Sequence, residues 1–211
     1  MLHTLSKRIA FFLFKDGQYP IEVYVYGLEL IISSLVGEMV VLFLGLMLDR
    51  LMETLIFILL IKYIRIYSGG FHAKTYIVCN MTFITSYLFS VLICYKLRSV
   101  QDNTIIGLMI ITVVIAIATM IKLAPIENKN KPISVERRPI LRRKAVAVVT
   151  FVGFAFVMVY YLYRVREFIM IIPGYLTIVI SMLVEQRLYG KDGNYEEDGK
   201  IYIGKSGCKD R

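Results

Sequence analysis

The sequence predicts an all-α, polytopic membrane protein: six transmembrane helices preceded by an N-terminal amphipathic helix that lies in the membrane interface. Three observations carry this. Of 211 residues, 57% are hydrophobic, whereas soluble domains sit near 45–50%. The apolar residues are gathered into uncharged runs near the ~20 residues that a helix needs to cross the hydrocarbon core. The formal charge of +9 is not collected on a soluble module, as a nucleic-acid binder would require. It punctuates the apolar runs, as loops at an anionic membrane surface do. Membrane lipid is therefore an expected partner, and nucleic acid is not.

Residues 1–19 carry Leu2, Leu5, Ile9, Phe12 and Leu13 at helical spacing, with Lys7, Arg8 and Lys15 between them. Such a segment lies along a membrane surface rather than crossing it. A plain cytosolic leader helix would show the same pattern. No small-residue cleavage site follows Phe11–Phe14, so no cleavable signal peptide is expected. Gly17 to Pro20 ends the segment. Ile21–Leu48 is long enough to span and carries Glu22, Glu29 and Glu38. Glu38 is deepest and must face protein or water. Asp49-Arg50 makes a short turn. Leu51–Ile64 is the weakest span, with Thr54–Ile61 its only uncharged core, and it crosses only if it continues toward Tyr67. Thr75–Tyr95, Thr104–Ile121 and Ala145–Tyr163 are uncharged spans. Phe168–Val184 contains Pro173-Gly174, which predicts a kink tolerated by neighbouring helices.

Charge then orients the chain. With six spans and a cytosolic N-terminus, 20 of the 25 basic residues fall inside; only Arg50, Lys96, Arg98, Arg164 and Arg166 fall outside. The opposite orientation reverses the positive-inside bias. Both termini are therefore expected in the cytoplasm. The cytosolic loop 122–144 holds prolines at 125, 132 and 139, which discourage a continuous helix. It carries eight basic residues against Glu127 and Glu136. An ordinary positive-inside loop would be basic too, but less so. The excess points to a docking surface for an acidic peptide, with Lys129, Lys131, Arg137, Arg138, Arg142 and Arg143 as its contacts. The six-helix membrane domain is expected over 20–188, and 189–211 is a polar, glycine-rich tail.

Chemistry concentrates in one stretch, Arg65-Ile-Tyr-Ser-Gly-Gly-Phe-His-Ala-Lys-Thr-Tyr-Ile-Val-Cys79. The three cysteines (79, 94, 208) match neither a disulfide framework nor a zinc pattern, and there are two histidines in all. No metal or cofactor is expected. A cysteine nucleophile needs a base or a positive field, because its thiol is mostly protonated at neutral pH. His72 is the one realistic partner, since His3 lies in the leader. On a single regular helix the two residues would share a face, yet stand about 10.5 Å apart along the axis. That is too far for a hydrogen bond. Gly69-Gly70 resolves this by permitting a fold-back. A break near Gly69–Ala73 is predicted, followed by a helix with Cys79 in its early turns, where the N-terminal amides stabilise a thiolate. Against this stands the plainer reading of Cys79 as a packing residue and of Arg65 as an interface anchor. In a site, Arg65 would bind a carboxylate or polarise a carbonyl.

Arg65-x-x-x-Gly69-Gly70-x-His72-Ala73, with Cys79 seven residues after the histidine, resembles the signature of the accessory gene regulator protein B (AgrB) family. The size, the amphipathic N-terminal segment, the six spans and the segment Pro125-Ile-Glu-Asn-Lys-Asn-Lys-Pro132 extend the likeness over most of the chain. The resemblance implies a multi-pass membrane cysteine endopeptidase of Gram-positive bacteria. It would cleave the C-terminal tail from a quorum-sensing precursor peptide through a thioester acyl-enzyme. Cyclisation to a thiolactone or lactone would follow. Cys79 would be nucleophile and His72 base, with Arg65, Gly69 and Gly70 supporting. The motif fixes no third member; Glu38, Asn80 and Ser86 are candidates. The partner would be the precursor peptide, the site would lie at the cytosolic face of the cell membrane, and a homodimer is the assembly considered. An alternative of another class is a non-enzymatic peptide exporter, motivated by Glu38 and by the broken helix at Pro173. A membrane scaffold acting through its basic loop is a weaker third reading.

Overall fold

The computed structural model describes residues 2–13, 20–69, 75–126 and 136–191. Seven α-helices make up the described residues: α1 (Leu2–Leu13), α2 (Ile21–Met47), α3 (Leu51–Ser68), α4 (Tyr76–Leu97), α5 (Asp102–Leu123), α6 (Arg138–Tyr163) and α7 (Ile171–Lys191). A 3-10 turn, Arg166–Met170, leads into α7. Five helical segments are long and apolar enough to cross a membrane: Ile21–Met47, Tyr76–Leu97, Asp102–Leu123, Arg138–Tyr163 and Arg166–Arg187.

Leu51–Ser68 is not among the five. Its 18 residues include Glu53, Lys62 and Arg65. Its position explains how it carries them. α3 packs against α2, α4, α6 and α7, and Phe57, Leu60, Ile61 and Ile64 are buried along it. Phe57 stacks on Tyr87 and Phe83 of α4, with ring centroids 5.5 and 5.7 Å away. Thr54 shares a 2.7 Å hydroxyl hydrogen bond with Tyr87. α7 is the other inner helix: its spanning window is 56% buried, against 17–28% for the other four. So α3 and α7 form the centre of the bundle, and the less buried spans surround them. A helix enclosed by protein needs less hydropathy than one facing lipid, because protein partners satisfy its polar groups.

The turn from α2 to α3 is as short as expected. Asp49 takes a left-handed conformation, and Arg50 N–H donates to Gly45 O at 2.8 Å, which closes the helix end. At this end of the bundle Glu53, buried in α3, accepts from Arg98 Nη2 at 2.6 Å and Arg50 Nη1 at 3.4 Å. Arg166 pairs with Asp102 at 2.9 Å. Replacing Glu53 by alanine leaves Arg98 only the longer contact to Glu167 at 3.9 Å. The expected cost is about 1–3 kcal/mol, read as a lowered thermal midpoint in detergent, with Lys96→Ala as the silent control.

Two expectations are corrected. The loop 122–144 is shorter than predicted: α5 runs to Leu123 and α6 begins at Arg138. Pro139 does not interrupt this helix, because it occupies the first turn, where no intrahelical donor is needed. The spanning segment Arg166–Arg187 that holds Pro173 is irregular, as expected, but the irregularity lies just before the proline. Pro173 sits in the first turn of α7, after the change from 3-10 to α geometry between Met170 and Ile171.

α1 is a helix as predicted and packs against α2. His3 Nδ1 lies 2.7 Å from Glu29 Oε1, and Tyr76 OH, on the first turn of α4, donates to Glu29 Oε2 at 2.8 Å. Glu29 thereby joins α1, α2 and the start of α4. Phe11, Phe12 and Leu13 remain exposed on α1.

Candidate active site

The α3–α4 connection carries the site. α3 ends at Ser68, and Gly69 follows with φ 70° and ψ −155°, a backbone region essentially reserved for glycine. Thr75 is extended, with φ −130° and ψ 148°, and its Oγ1 caps α4 by accepting from Val78 N–H at 3.4 Å. No single helix therefore runs through positions 72 to 79. The break expected near Gly69–Ala73 is consistent with both ends of this connection. Gly70 and His72 lie outside the described residues.

Cys79 occupies the first turn of α4, where its N–H donates to Thr75 O at 3.1 Å. It is partly buried. Arg65 lies in the last turn of α3 and is also partly buried. The Arg65 guanidinium is shaped first by its burial, and Cys79 and Glu185 of α7 are near enough to act on its charge. Arginine, cysteine and carboxylate are thus carried to the same end of the bundle, where α3 ends and α4 begins. Glu185 was missed in the sequence. It follows directly on the uncharged run ending at Val184, where it reads as a span boundary; yet it is buried, only 6% exposed.

The segment after α5 closes this end. Ile126 N–H donates to Ser68 O at 3.0 Å, and Arg142 Nε donates to Ala124 O at 2.8 Å. Arg142, expected to dock peptide, also holds the α5–α6 linker to the bundle. Arg137, Arg138, Arg142 and Arg143 are all exposed, on and beside the first turns of α6. Lys129 and Lys131 lie outside the described residues.

The three candidates for a third catalytic member have other partners. Asn80 Nδ2 donates to Ser33 O and Oγ of α2 at 3.2 and 3.3 Å. Gly37 makes room there, since a side-chain carbon on it would stand 2.8 Å from Asn80 Oδ1. Ser86 Oγ donates to Phe83 O within α4 at 2.8 Å. Glu38 accepts from Lys62 Nζ at 3.0 and 3.1 Å, tying α2 to α3. Glu38 is thus paired with protein, as its depth required.

The sequence profile of the family Accessory gene regulator B matches residues 6–185, a range that contains every element of this site. The chain belongs to the AgrB family. A protein of Clostridium perfringens (strain 13 / Type A) named "Putative AgrB-like protein 2" is 30% identical over 146 residues, covering 65% of this chain and 67% of its own. "Putative AgrB-like protein" of C. perfringens (strain SM101 / Type A) is 29% identical over the same length and shares. No solved structure matches the chain. AgrB membership supports a role in processing a quorum-sensing peptide. Together with the apolar helices, it makes this a multi-pass membrane protein.

Proposed function

We propose that this AgrB protein is a membrane cysteine endopeptidase that removes the C-terminal tail of a quorum-sensing precursor peptide and promotes cyclisation of the remainder. The observation that carries the reading is the junction itself. A glycine-only conformation ends α3 one turn after Arg65, and a capped α4 begins with Cys79 in its first turn.

The chemistry follows from these side chains. His72 takes the thiol proton, and Cys79 Sγ attacks the scissile carbonyl. Arg65, at the end of α3 next to the start of α4, stabilises the charge that develops there. The C–N bond breaks, the proton passes from His72 to the departing amine, and the N-terminal part stays on Cys79 as a thioester. A cysteine thiol or serine hydroxyl of the same peptide then attacks that thioester. The ring closes as a thiolactone or lactone, and the Cys79 thiolate leaves and regains a proton. With a thiol, one thioester replaces another, so acyl activation is kept. Water is the wasteful competitor, and a site walled by apolar helices limits it.

The same reading takes α3 as a sixth crossing, with α1 at the cytosolic interface and both termini and the site on the cytosolic face. The first turns of α6 carry Arg138, Arg142, Arg143 and Lys144 and no acidic residue. Cations are unfavourable at the positive end of a helix, and an acidic precursor tail docked there, with Arg137, Lys129 and Lys131, offsets that. A homodimer remains part of the proposal.

Trapping the acyl-enzyme tests the reading. Full-length protein in vesicles is mixed with a synthetic precursor, an amphipathic peptide with an internal cysteine or serine and an acidic C-terminal tail, quenched in acid and digested. The expected product is a Cys79 peptide carrying the precursor's N-terminal part, released by hydroxylamine. Cleavage without any adduct on Cys79 would overturn the mechanism.

A further inference from the structure

Glu185 is a buried carboxylate in a membrane bundle, and such a group must have a partner. It lies toward the end of α7, the helix that packs against both α3 and α4. α3 brings Arg65 in its last turn and α4 brings Cys79 in its first. Cys94, fifteen residues after Cys79, has its Sγ 3.9 Å from Sδ of Met170, fifteen residues before Glu185, so α4 and the chain leading through α7 run antiparallel and Glu185 falls level with Cys79, within electrostatic reach of the Arg65 guanidinium. Three helices therefore bring one carboxylate, one guanidinium and one thiol to the same end of the core.

From this juxtaposition of α3, α4 and α7 we infer that Glu185 is a positioning residue: its carboxylate holds the Arg65 guanidinium so that the remaining donors face Cys79 and the acyl group it carries. The inference rests on the peptidase reading. A guanidinium presents five N–H donors in a rigid plane, and a carboxylate occupies at most two of them. The rest stay available to a thiolate or an oxyanion. A long flexible side chain without that brace would spend much of its time pointed elsewhere. Arg65 is the group that meets the reacting atoms; Glu185 acts through it. Its place in α7 also gives the central helix a stake in the chemistry, although the reactive motif lies wholly within 65–79.

The test compares wild type, Glu185→Gln, Glu185→Asp, Arg65→Lys, the double variant Arg65→Lys/Glu185→Gln and Cys79→Ala, each full length in vesicles. The first readout is alkylation of Cys79 by iodoacetamide at pH 7, followed by peptide mapping. Positioning and simple charge predict opposite signs here. Removing a nearby negative charge alone would make the thiol more reactive. Releasing the guanidinium makes it less reactive, and a roughly tenfold slowing is expected in Glu185→Gln. The second readout is processing of the same synthetic precursor. It should slow about 10²-fold in Glu185→Gln, recover in large part in Glu185→Asp, and be no slower in the double variant than in Arg65→Lys. Unchanged or faster alkylation in Glu185→Gln, with processing intact in it and absent in Cys79→Ala, overturns this inference and leaves the peptidase standing. Loss of folded protein in both Glu185 variants assigns the residue to folding alone and also overturns it. Processing by Cys79→Ala overturns the peptidase reading instead.

Discussion

Cys79→Ala is expected to reduce precursor cleavage at least about 10³-fold while leaving the protein inserted and folded. The first part follows from the chemistry. Alanine offers no nucleophile, and what survives the loss of a covalent nucleophile is only binding and orientation. The second part follows from the site. Cys79 is only partly buried on the first turn of α4, so removing one sulfur there forfeits little packing. Cys94 provides the contrast. It is 2% exposed, and its Sγ lies 3.9 Å from Met170 Sδ in the core. Cys94→Ala should keep cleavage and lose stability, by about 1–2 kcal/mol for a small cavity. Intact mass of the precursor, followed in vesicles beside a thermal melt, separates the two outcomes. Undiminished cleavage by Cys79→Ala would remove the nucleophile from the mechanism.

The contrast between these two cysteines also shows what could be read from the sequence. Cys79 was legible because chemistry clusters locally around it: an arginine, two glycines and a histidine within fifteen residues of an apolar chain. The need for a break was legible because helix geometry forbids a seven-residue pair from meeting on a regular helix. The centre of the bundle was not. Hydropathy reports what faces lipid, so α3 ranked as the weakest span because it carries Glu53, Lys62 and Arg65. In the structure two of those charges meet partners from outside α3, Arg98 for Glu53 and Glu38 for Lys62, and Glu185 of α7 lies within electrostatic reach of the third, Arg65. Glu185 was hidden for the same reason, since its relation to Arg65 spans 120 positions and no local pattern encodes it. Pro139 misled in the opposite direction. It was read as a breaker because proline interrupts helix interiors, yet it occupies a first turn, where the same missing N–H does no harm.

Gly69→Val should nearly abolish processing without touching any group that takes part in the chemistry. Two independent costs converge on this position. At φ 70° and ψ −155° a β-branched residue is strained by about 1–3 kcal/mol. A side-chain carbon built there would also stand 2.5 Å from the Ile126 carbonyl oxygen, a backbone atom that cannot swing aside. Ile126 is itself fixed, because its N–H donates to Ser68 O. The chain can relieve both costs only by re-forming the end of α3 or by expelling the segment that follows α5. Either movement displaces Arg65, one turn upstream, from Cys79. A misplacement of about 1 Å costs on the order of 10²-fold in rate. The expected signature is therefore a loss of cleavage of about that size, with slower iodoacetamide labelling of Cys79 and normal membrane insertion. Gly69→Ala should fall between wild type and valine. Gly27→Ala, on α2 with no heavy atom within 4 Å of the added carbon, should behave as wild type. If Gly69→Val processed precursor at the wild-type rate, the junction would be a passive linker, and the geometry of α3, α4 and the α5–α6 segment would not be what aligns arginine with thiol.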